Sequence, residues 1–326
     1  MGSGGSGAGG GSGAGGGGGV AGSGGVAGVV GVVGAAGQPG PGRHDAQTTL
    51  VGVIGHPVRH SLSPLLHNTA FSALGINWAS VAFEVAPGRV AGALAGVRAL
   101  GLAGLSVTMP HKADAAAHVD RCSEVAVVLG AVNCVINRDG ALEGDNTDGA
   151  GFLASLHRGA DFDPAGRRCL LIGAGGAARA VSKALAGAGC AEVTVWNRTP
   201  GRAGAVAALA GPVGRVGEAG SEADVAQADL IVNATPLGMA GTGAAETGAA
   251  GTGWPVPPAL LHRGQVVADL VYAPRPTAWL AAAADAGART VDGLGMLVHQ
   301  AAAQIELWTG LPAPVDEMWG AASRLG

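Results

Sequence analysis

The sequence predicts an α/β fold in two domains with a cleft between them. Two observations carry this. From Thr49 onward, short apolar runs alternate with stretches of helical spacing, the rhythm of strands covered by helices. From Arg167 a second series of the same kind begins, and its first strand runs straight into a glycine-rich turn. The chain of 326 residues is long enough for two such units.

In the first series, Thr49–Ile54 reads as a strand. Pro64–Leu74 follows as a helix, with Leu65, Leu66, Phe71 and Leu74 spaced for one buried face. Trp78–Val85, Leu102–Thr108 and Ala131–Asn137 are further strands, and helical patterns occupy 88–100, 111–119 and 148–157. Mostly parallel pairing is expected. In the second series Cys169–Ile172, Glu192–Trp196, Asp229–Asn233 and Gln265–Leu270 read as strands. Helices are expected over GAGGAARAVSKALAGAG and at 201–210. Leu294–Trp308 is an amphipathic helix stopped by Gly310, and Asp316–Leu325 a last helix. The boundary between the series falls near 149–166. The Gly/Ala-rich stretch 238–255 reads as a surface excursion, longer than a usual α/β connection.

Composition narrows the function classes. Nineteen Lys+Arg against 23 Asp+Glu give a net charge of −4. Without a basic excess, nucleic acid is not an expected partner, and no block of like charge marks a membrane-surface patch. Cys122, Cys134, Cys169 and Cys190 form no C-x-x-C pair and no zinc-spaced cluster. No metal is therefore expected, and a reducing cytoplasmic setting fits. Residues 1–42 hold 22 of the 61 glycines and precede the first charged residue, Arg43. Such a tract cannot bury enough apolar surface to offset its ordering entropy, so residues 1–46 are expected to be a disordered tail. Its Val-rich part lacks a basic flank and is too glycine-interrupted for a signal segment or a membrane span.

The motifs carry the chemistry. Gly173, Gly175, Gly176 and Ala178 form G-x-G-x-x-A between a strand and a helix, the setting in which a pyrophosphate meets a helix N-terminus. This predicts a Rossmann-type dinucleotide site. At the end of the next strand an NAD site wants a carboxylate for the ribose 2′-hydroxyl. The chain has Trp196-Asn197-Arg198-Thr199 and then Arg202 instead. Two guanidinium groups suit a 2′-phosphate, so NADP is the expected cofactor. Ser63 before Pro64 has the form of a helix N-cap, whereas Ser61 has no such explanation. Two hydroxyls beside a helix start can hold a carboxylate. Asp145 and Asp148, in GDNTDG, are turn or cap residues or something more. Asn133, inside AVNCVI, is an amide in an apolar run and needs partners, a substrate hydroxyl among the candidates. Lys112, two residues beyond Pro110 in SVTMPHK, is either a surface charge at a helix start or a group aimed at a substrate.

Nine segments fall in order with suitable gaps: GHPVRHSLSP, SVTMPHK, GAVN, DNTDG, GAGGAARA, NRT-x-x-R, NATPLGM, DLVYAP and DGLGMLVHQAAAQ-x-x-x-WTG. Together they resemble the shikimate dehydrogenase family over about residues 49–322. The resemblance implies reversible NADPH-linked reduction of 3-dehydroshikimate to shikimate, a step of chorismate and aromatic amino-acid biosynthesis. Ser61 and Ser63 match the pair that binds the substrate carboxylate. Thr108 and Lys112 match the T-x-P-x-K segment with its catalytic lysine. Asn133 and Asp148 match residues that contact ring hydroxyls, the aspartate also partnering the lysine. Tyr272 and Gln300 match residues that close on the substrate from the other domain. Gly173, Gly175, Gly176 and Ala177 match the pyrophosphate loop, and Asn197, Arg198, Thr199 and Arg202 the 2′-phosphate clamp. Thr235 and Met239 fall in a cofactor-lining segment, and Gly293 beside the nicotinamide.

The implied domains are a substrate-binding and catalytic one at 47–149, completed by C-terminal helices at 299–326, and a Rossmann-type NADP-binding one at 150–298. A homodimer is an expected assembly. The chain departs from the family pattern at His111, where Phe is frequent, and at Cys134, where Thr is common. Quinate or aminoshikimate dehydrogenase is the nearest alternative, and a non-catalytic ligand-sensing relative a further one. The serine pair favours shikimate over quinate, and the presence of Lys112 and Asp148 favours an enzyme.

Overall fold

The structure is a computed structural model that describes residues 1–2, 44–239 and 253–324. The expectations for residues 3–43 and for 240–252 of the excursion lie outside the described residues. The described chain from His44 onward falls within one compact unit. It is built on two six-stranded sheets.

The first sheet contains β1 (Thr49–Gly55), β2 (Trp78–Glu84), β3 (Gly104–Val107), β4 (Arg121–Cys122), β5 (Cys134–Arg138) and β6 (Ala141–Asp145), in the order β2-β1-β3-β5-β6-β4. β1 pairs in parallel with β2 and β3, but β5 runs antiparallel to both β3 and β6. The reversal is local, because β5 and β6 are a hairpin whose turn uses Asp139 and Gly140 at positive φ. Its helices are α1 (Ser63–Ala73), α2 (Val90–Leu100), α3 (Lys112–His118) and α4 (Glu124–Leu129).

A long helix, α5 (Asp148–Ala160), leads to the second sheet. There β7 (Arg168–Ile172), α6 (Gly176–Gly187), β8 (Glu192–Trp196), α7 (Pro200–Ala207), β9 (Gly214–Val216), α8 (Glu222–Gln227) and β10 (Leu230–Asn233) precede β11 (Val266–Asp269), α9 (Ala278–Asp285) and β12 (Arg289–Val291). All pairs are parallel, in the order β12-β11-β10-β7-β8-β9. The strand order reverses between β7 and β10, which is where doubly wound sheets open a ligand crevice. Cys169 and Leu171 of β7 enter a core with Leu185 and Val193, while Leu170 and Ile172 enter another with Trp196 and Trp279. A strand covered on both faces is apolar at every position, so it reads as a continuous run.

Two C-terminal helices, α10 (Gly293–Thr309) and α11 (Val315–Ser323), close the chain. The Asp292 carboxylate caps α10 by accepting from Leu294 N at 3.1 Å, and Gly310 ends it at φ 70°. Leu294, Val298, Ile305, Trp308 and Met318 share the core of the first sheet with Val51, Leu66 and Phe71. Met296 packs in the core of the second sheet, so α10 touches both.

Several expectations need correction. Leu65 is not on the buried face of α1; it is 37 % exposed, and Leu66 and Phe71 carry the packing. Ser63 is not an N-cap: it is the first residue of α1 and its side chain makes no cap bond. The strand expected over 131–137 starts at Cys134, because Ala131–Asn133 is spent on the turn that brings Asn133 beneath the cleft. The helix expected over 201–210 ends at Ala207 and continues as a 3-10 turn containing Gly211 at φ 61°.

Candidate active site

One cleft of about 180 Å³ lies between the two sheets. Ser61, Ser63, Ser106, Thr108, Lys112 and Asp148 line one wall; Ala177, Leu270, Tyr272, Gly293, Met296, Leu297 and Gln300 line the other. Residues from distant parts of the chain converge here because the ends of β3, α5, α6, β11 and α10 meet at this point.

The charged centre is Lys112. It opens α3 just past Pro110, and its Nζ stands 2.5 Å from Asp148 Oδ2. The Lys112 side chain is 22 % exposed and that of Asp148 is 6 % exposed, so the pair sits at the floor of the cleft with the ammonium on the open side. Asp148 opens α5, where the helix dipole favours a carboxylate. Its second oxygen accepts from Asn133 Nδ2 at 2.7 Å, and its N–H donates to Asn146 Oδ1 at 3.1 Å. Both carboxylate oxygens are therefore held. Asn133 is 1 % exposed and is itself fixed: its Oδ1 accepts from Thr147 N at 2.8 Å, and its amide also reaches Thr147 Oγ1 at 3.0 Å. In this arrangement the Asn133 amide donates to Asp148 and Thr147, with a longer contact to Gln300 Oε1 at 3.5 Å, and does not line the cleft.

The two serines face the same cleft. Ser61 Oγ accepts from Ser63 N at 3.3 Å, which tightens the turn and leaves the Ser63 hydroxyl, 6 % exposed, pointing into the site. Thr108 N donates to Ile54 O at 2.9 Å, tying the strand ends of β1 and β3 together beneath the lysine. His111, where Phe is frequent in the family pattern, is fully buried, with Nε2 2.7 Å from Val85 O.

On the other wall, Gln300 on α10 reaches the cleft because α5 and α10 approach closely at Gly151. A Cβ there would stand 2.7 Å from Gln300 N. Burial pushes the Tyr272 phenol up from its ordinary pKa, so it remains a neutral hydrogen-bond donor.

The crevice beside this wall fits a dinucleotide. Gly173 has φ 116°, and a Cβ on it would lie 2.8 Å from Ala234 O. Gly175 and Gly176 are different: a side chain there would meet nothing within 4 Å. Internal packing does not require them, whereas backbone N–H groups open to a pyrophosphate at the start of α6 do. Arg198 and Arg202, at the end of β8 and in α7, are exposed and make no side-chain hydrogen bond or ion pair among the described residues. Asn197 Nδ2 donates to Thr199 O at 3.0 Å, shaping the turn between them. Thr235 is set by Asn233, whose Oδ1 accepts its hydroxyl at 2.6 Å. Met239 is 36 % exposed at the last described residue before 240. Gly293 begins α10 against the Leu270 carbonyl, with no room for a side chain.

Sequence reasoning missed three contributors. Ser106 lines the cleft, and its i, i+2 relation to Thr108 puts both on one strand face, a signal that was there to read. Thr147 donates to Gln300 O at 3.0 Å, tying α5 to α10. Asp269 is buried and accepts from Asn233 Nδ2 at 2.9 Å and Thr277 Oγ1 at 2.8 Å, which holds the ends of β10 and β11 beside the crevice. Burial pushes its carboxyl up despite these bonds.

Comparison with known proteins agrees with this geometry. Three family models match: "Shikimate dehydrogenase substrate binding domain" at residues 53–135, "Shikimate / quinate 5-dehydrogenase" at 158–237 and "Shikimate 5'-dehydrogenase C-terminal domain" at 293–322. The shikimate dehydrogenase (NADP+) of Moorella thermoacetica is 50 % identical over 280 residues, covering 84 % of this chain and 92 % of that one. A crystal structure of the Thermus thermophilus shikimate 5-dehydrogenase with NADP(H) and shikimate is similar with a TM-score of 0.75 and 39 % identity, covering 85 % of this chain and 99 % of that one. The quinate dehydrogenase of Corynebacterium glutamicum with NAD is similar with a TM-score of 0.77 and 30 % identity, over 85 % and 99 % of the two chains. The chain belongs to the shikimate dehydrogenase family.

Proposed function

We propose that this chain catalyses the reversible reduction of 3-dehydroshikimate to shikimate with NADPH. The observation that carries the reading is the Lys112–Asp148 pair at 2.5 Å, placed in a cleft between a serine pair and an empty-sided glycine turn. Its curated relative in Moorella thermoacetica has the same activity by name.

NADPH, bound along the β7–α6 turn with its 2′-phosphate against Arg198 and Arg202, would supply the hydride. The rest is done by the chain's own groups. Ser61 and Ser63 hold the substrate carboxylate at one end of the cleft. Lys112 lies at the other, where the ketone oxygen becomes an alkoxide. Its ammonium stabilises that charge and delivers a proton to the oxygen. Asp148 holds the ammonium in place, its other oxygen being held by the Asn133 amide. Tyr272 and Gln300 donate to ring oxygens from the opposite wall and exclude water. In the oxidative direction the proton returns to Lys112.

The domain reading follows the sheets: residues 47–149 with the C-terminal helices hold the substrate, and 150–298 hold NADP. Val298, Ile305 and Met318, in the core of the first sheet, support the return of the C-terminal helices to the substrate domain. Among the described residues no helix is long and apolar enough to cross a membrane. A cytoplasmic homodimer is the setting we infer, and light scattering on the purified chain tests the assembly. Quinate is the second reading, supported by the similarity to a quinate dehydrogenase. Arg198 and Arg202, which suit NADP, weigh against it, because that protein carries NAD. Chromatography of a reaction with 3-dehydroshikimate and NADPH tests the proposal. Shikimate formed mole for mole with NADPH consumed supports it; unchanged 3-dehydroshikimate under saturating NADPH rejects it.

A further inference from the structure

Behind the cleft runs a line of buried polar side chains that no step above uses. It begins at Ser80 on β2, whose Oγ lies 2.9 Å from His67 Nδ1. His67, on α1, is completely buried and stands edge-on to Trp308 with ring centroids 5.1 Å apart. Beyond it is Gln304 on α10, also completely buried. The next residue is Gln300, in the cleft wall.

The donor directions along this line run one way. The Asn133 carbonyl can only accept, so the Gln304 atom 3.0 Å from it is the nitrogen. The same nitrogen is 3.0 Å from the Gln300 amide, which must therefore present its oxygen. That turns the Gln300 nitrogen away, toward Leu297 O at 2.9 Å and the cleft. The Gln304 oxygen is left over on the His67 side, and neither it nor His67 Nε2 has a partner of ordinary hydrogen-bond geometry. Each is the complement of the other, an N–H donor and an amide acceptor. Burial lowers the His67 pKa to about 3, and the Gln304 side chain opposes that shift as a hydrogen-bond partner would. A neutral ring has a single N–H, so with Nε2–H directed at Gln304, Nδ1 accepts from the Ser80 hydroxyl.

We propose that Ser80, His67 and Gln304 form a positioning chain that locks the Gln300 amide with its N–H toward a ring oxygen of the substrate. The chain rests on the shikimate reading of the cleft and adds a specificity device to it. Gln300 alone could turn its amide over and present an acceptor; Gln304 at 3.0 Å prevents that by occupying the oxygen side, with a longer contact from Asn133 Nδ2 at 3.5 Å beside it. The cost of losing the lock falls on substrate recognition, not on the nicotinamide or on Lys112.

A double-mutant cycle tests this. Gln304→Met keeps the volume and removes both polar atoms. With Gln300 intact, it should raise the KM for shikimate about tenfold and leave the KM for NADP within about twofold. In a Gln300→Ala background it should add no further loss of shikimate affinity, because the amide it positions is gone. Equal losses in the two backgrounds, or an equal rise in the KM for NADP, would show general loosening and overturn the proposal. If Gln304→Met does not fold, His67→Phe keeps the ring against Trp308 and carries the same cycle. A wild-type chain that leaves shikimate untouched would instead reject the underlying reading, independently of the cycle.

Discussion

Replacing Lys112 by alanine separates three effects that the structure keeps apart. The first is chemical. A positioned general acid is worth roughly 10²–10⁴ in rate, or about 3–5 kcal/mol of barrier. The second is binding. Lys112 is one of several groups lining the cleft, and Ser61 and Ser63, proposed to hold the carboxylate, are untouched. The KM for shikimate should therefore rise by less than about tenfold. The third is stability. Asp148 is 6 % exposed and loses its cation, yet keeps the Asn133 amide at 2.7 Å. The lysine side chain is 22 % exposed, so water reaches the vacated side. A loss of about 1–2 kcal/mol is expected, below the 3–5 kcal/mol of a sealed pair, lowering Tm by roughly 2–8 °C. Steady-state rates followed by nicotinamide absorbance, with a thermal melt alongside, read all three. Adding Asp148→Asn should recover much of the stability without recovering kcat. A Lys112→Ala enzyme with kcat within about threefold of wild type, or with its whole defect in KM, would refute the acid role.

Three further outcomes follow from the same geometry. Arg198→Ala should raise the KM for NADP by about tenfold or more and leave that for NAD nearly unchanged, since only NADP carries the 2′-phosphate; equal loss with both cofactors in kinetic assays would remove Arg198 from the clamp. Gly151→Ala places a Cβ 2.7 Å from Gln300 N, so denaturant unfolding should show a loss of about 1–3 kcal/mol together with a raised KM for shikimate. An unaffected variant would mean that α5 and α10 yield more easily than their contact implies. His67 makes stability pH-dependent: its pKa is about 3 in the fold against 6.5 unfolded. Between those values the unfolded chain binds the extra proton, so stability falls as pH falls below 6.5, by about 2 kcal/mol at pH 5. The difference between the urea-derived unfolding free energies at pH 7 and pH 5 should shrink by that amount in His67→Phe, and an unchanged difference would contradict the burial of a neutral ring.

The second sheet was legible in the sequence because its strands are buried on both faces. Cys169–Ile172 and Leu230–Val232 are apolar without interruption, and the glycine turn marks where the first of them ends. The first sheet was less so. β6 (ALEGD) is short and carries two acids, and β4 has only two residues, so neither shows a periodic pattern, and the antiparallel hairpin was hidden with them. Short helices α4, α8 and α9 went unread for the same reason, although Ser123, Ser221 and Thr277 cap them as their residue types allow. In the site, local motifs identified side chains that the fold does bring to one cleft, such as Lys112, Asp148 and Ser63. What local spacing could not show is what holds them. The Asn133–Asp148 contact spans 15 residues and the Gln304–Asn133 contact 171, and hydrogen bonds over such separations exist only once the sheets and α10 are assembled. The capping pattern at Ser63 misled for a related reason: the helix starts one residue earlier than Pro64 suggests, which frees the hydroxyl for the cleft.

In the proposed reaction Lys112 and the serine pair act on shikimate while the glycine turn and its arginines hold NADP. Initial rates with purified wild-type protein, in the four combinations of shikimate or quinate with NADP or NAD, test it directly. Fast NADP reduction with shikimate and much slower rates in the other three are expected. A preference for quinate with NAD would contradict both the assignment of the serine pair and that of Arg198 and Arg202.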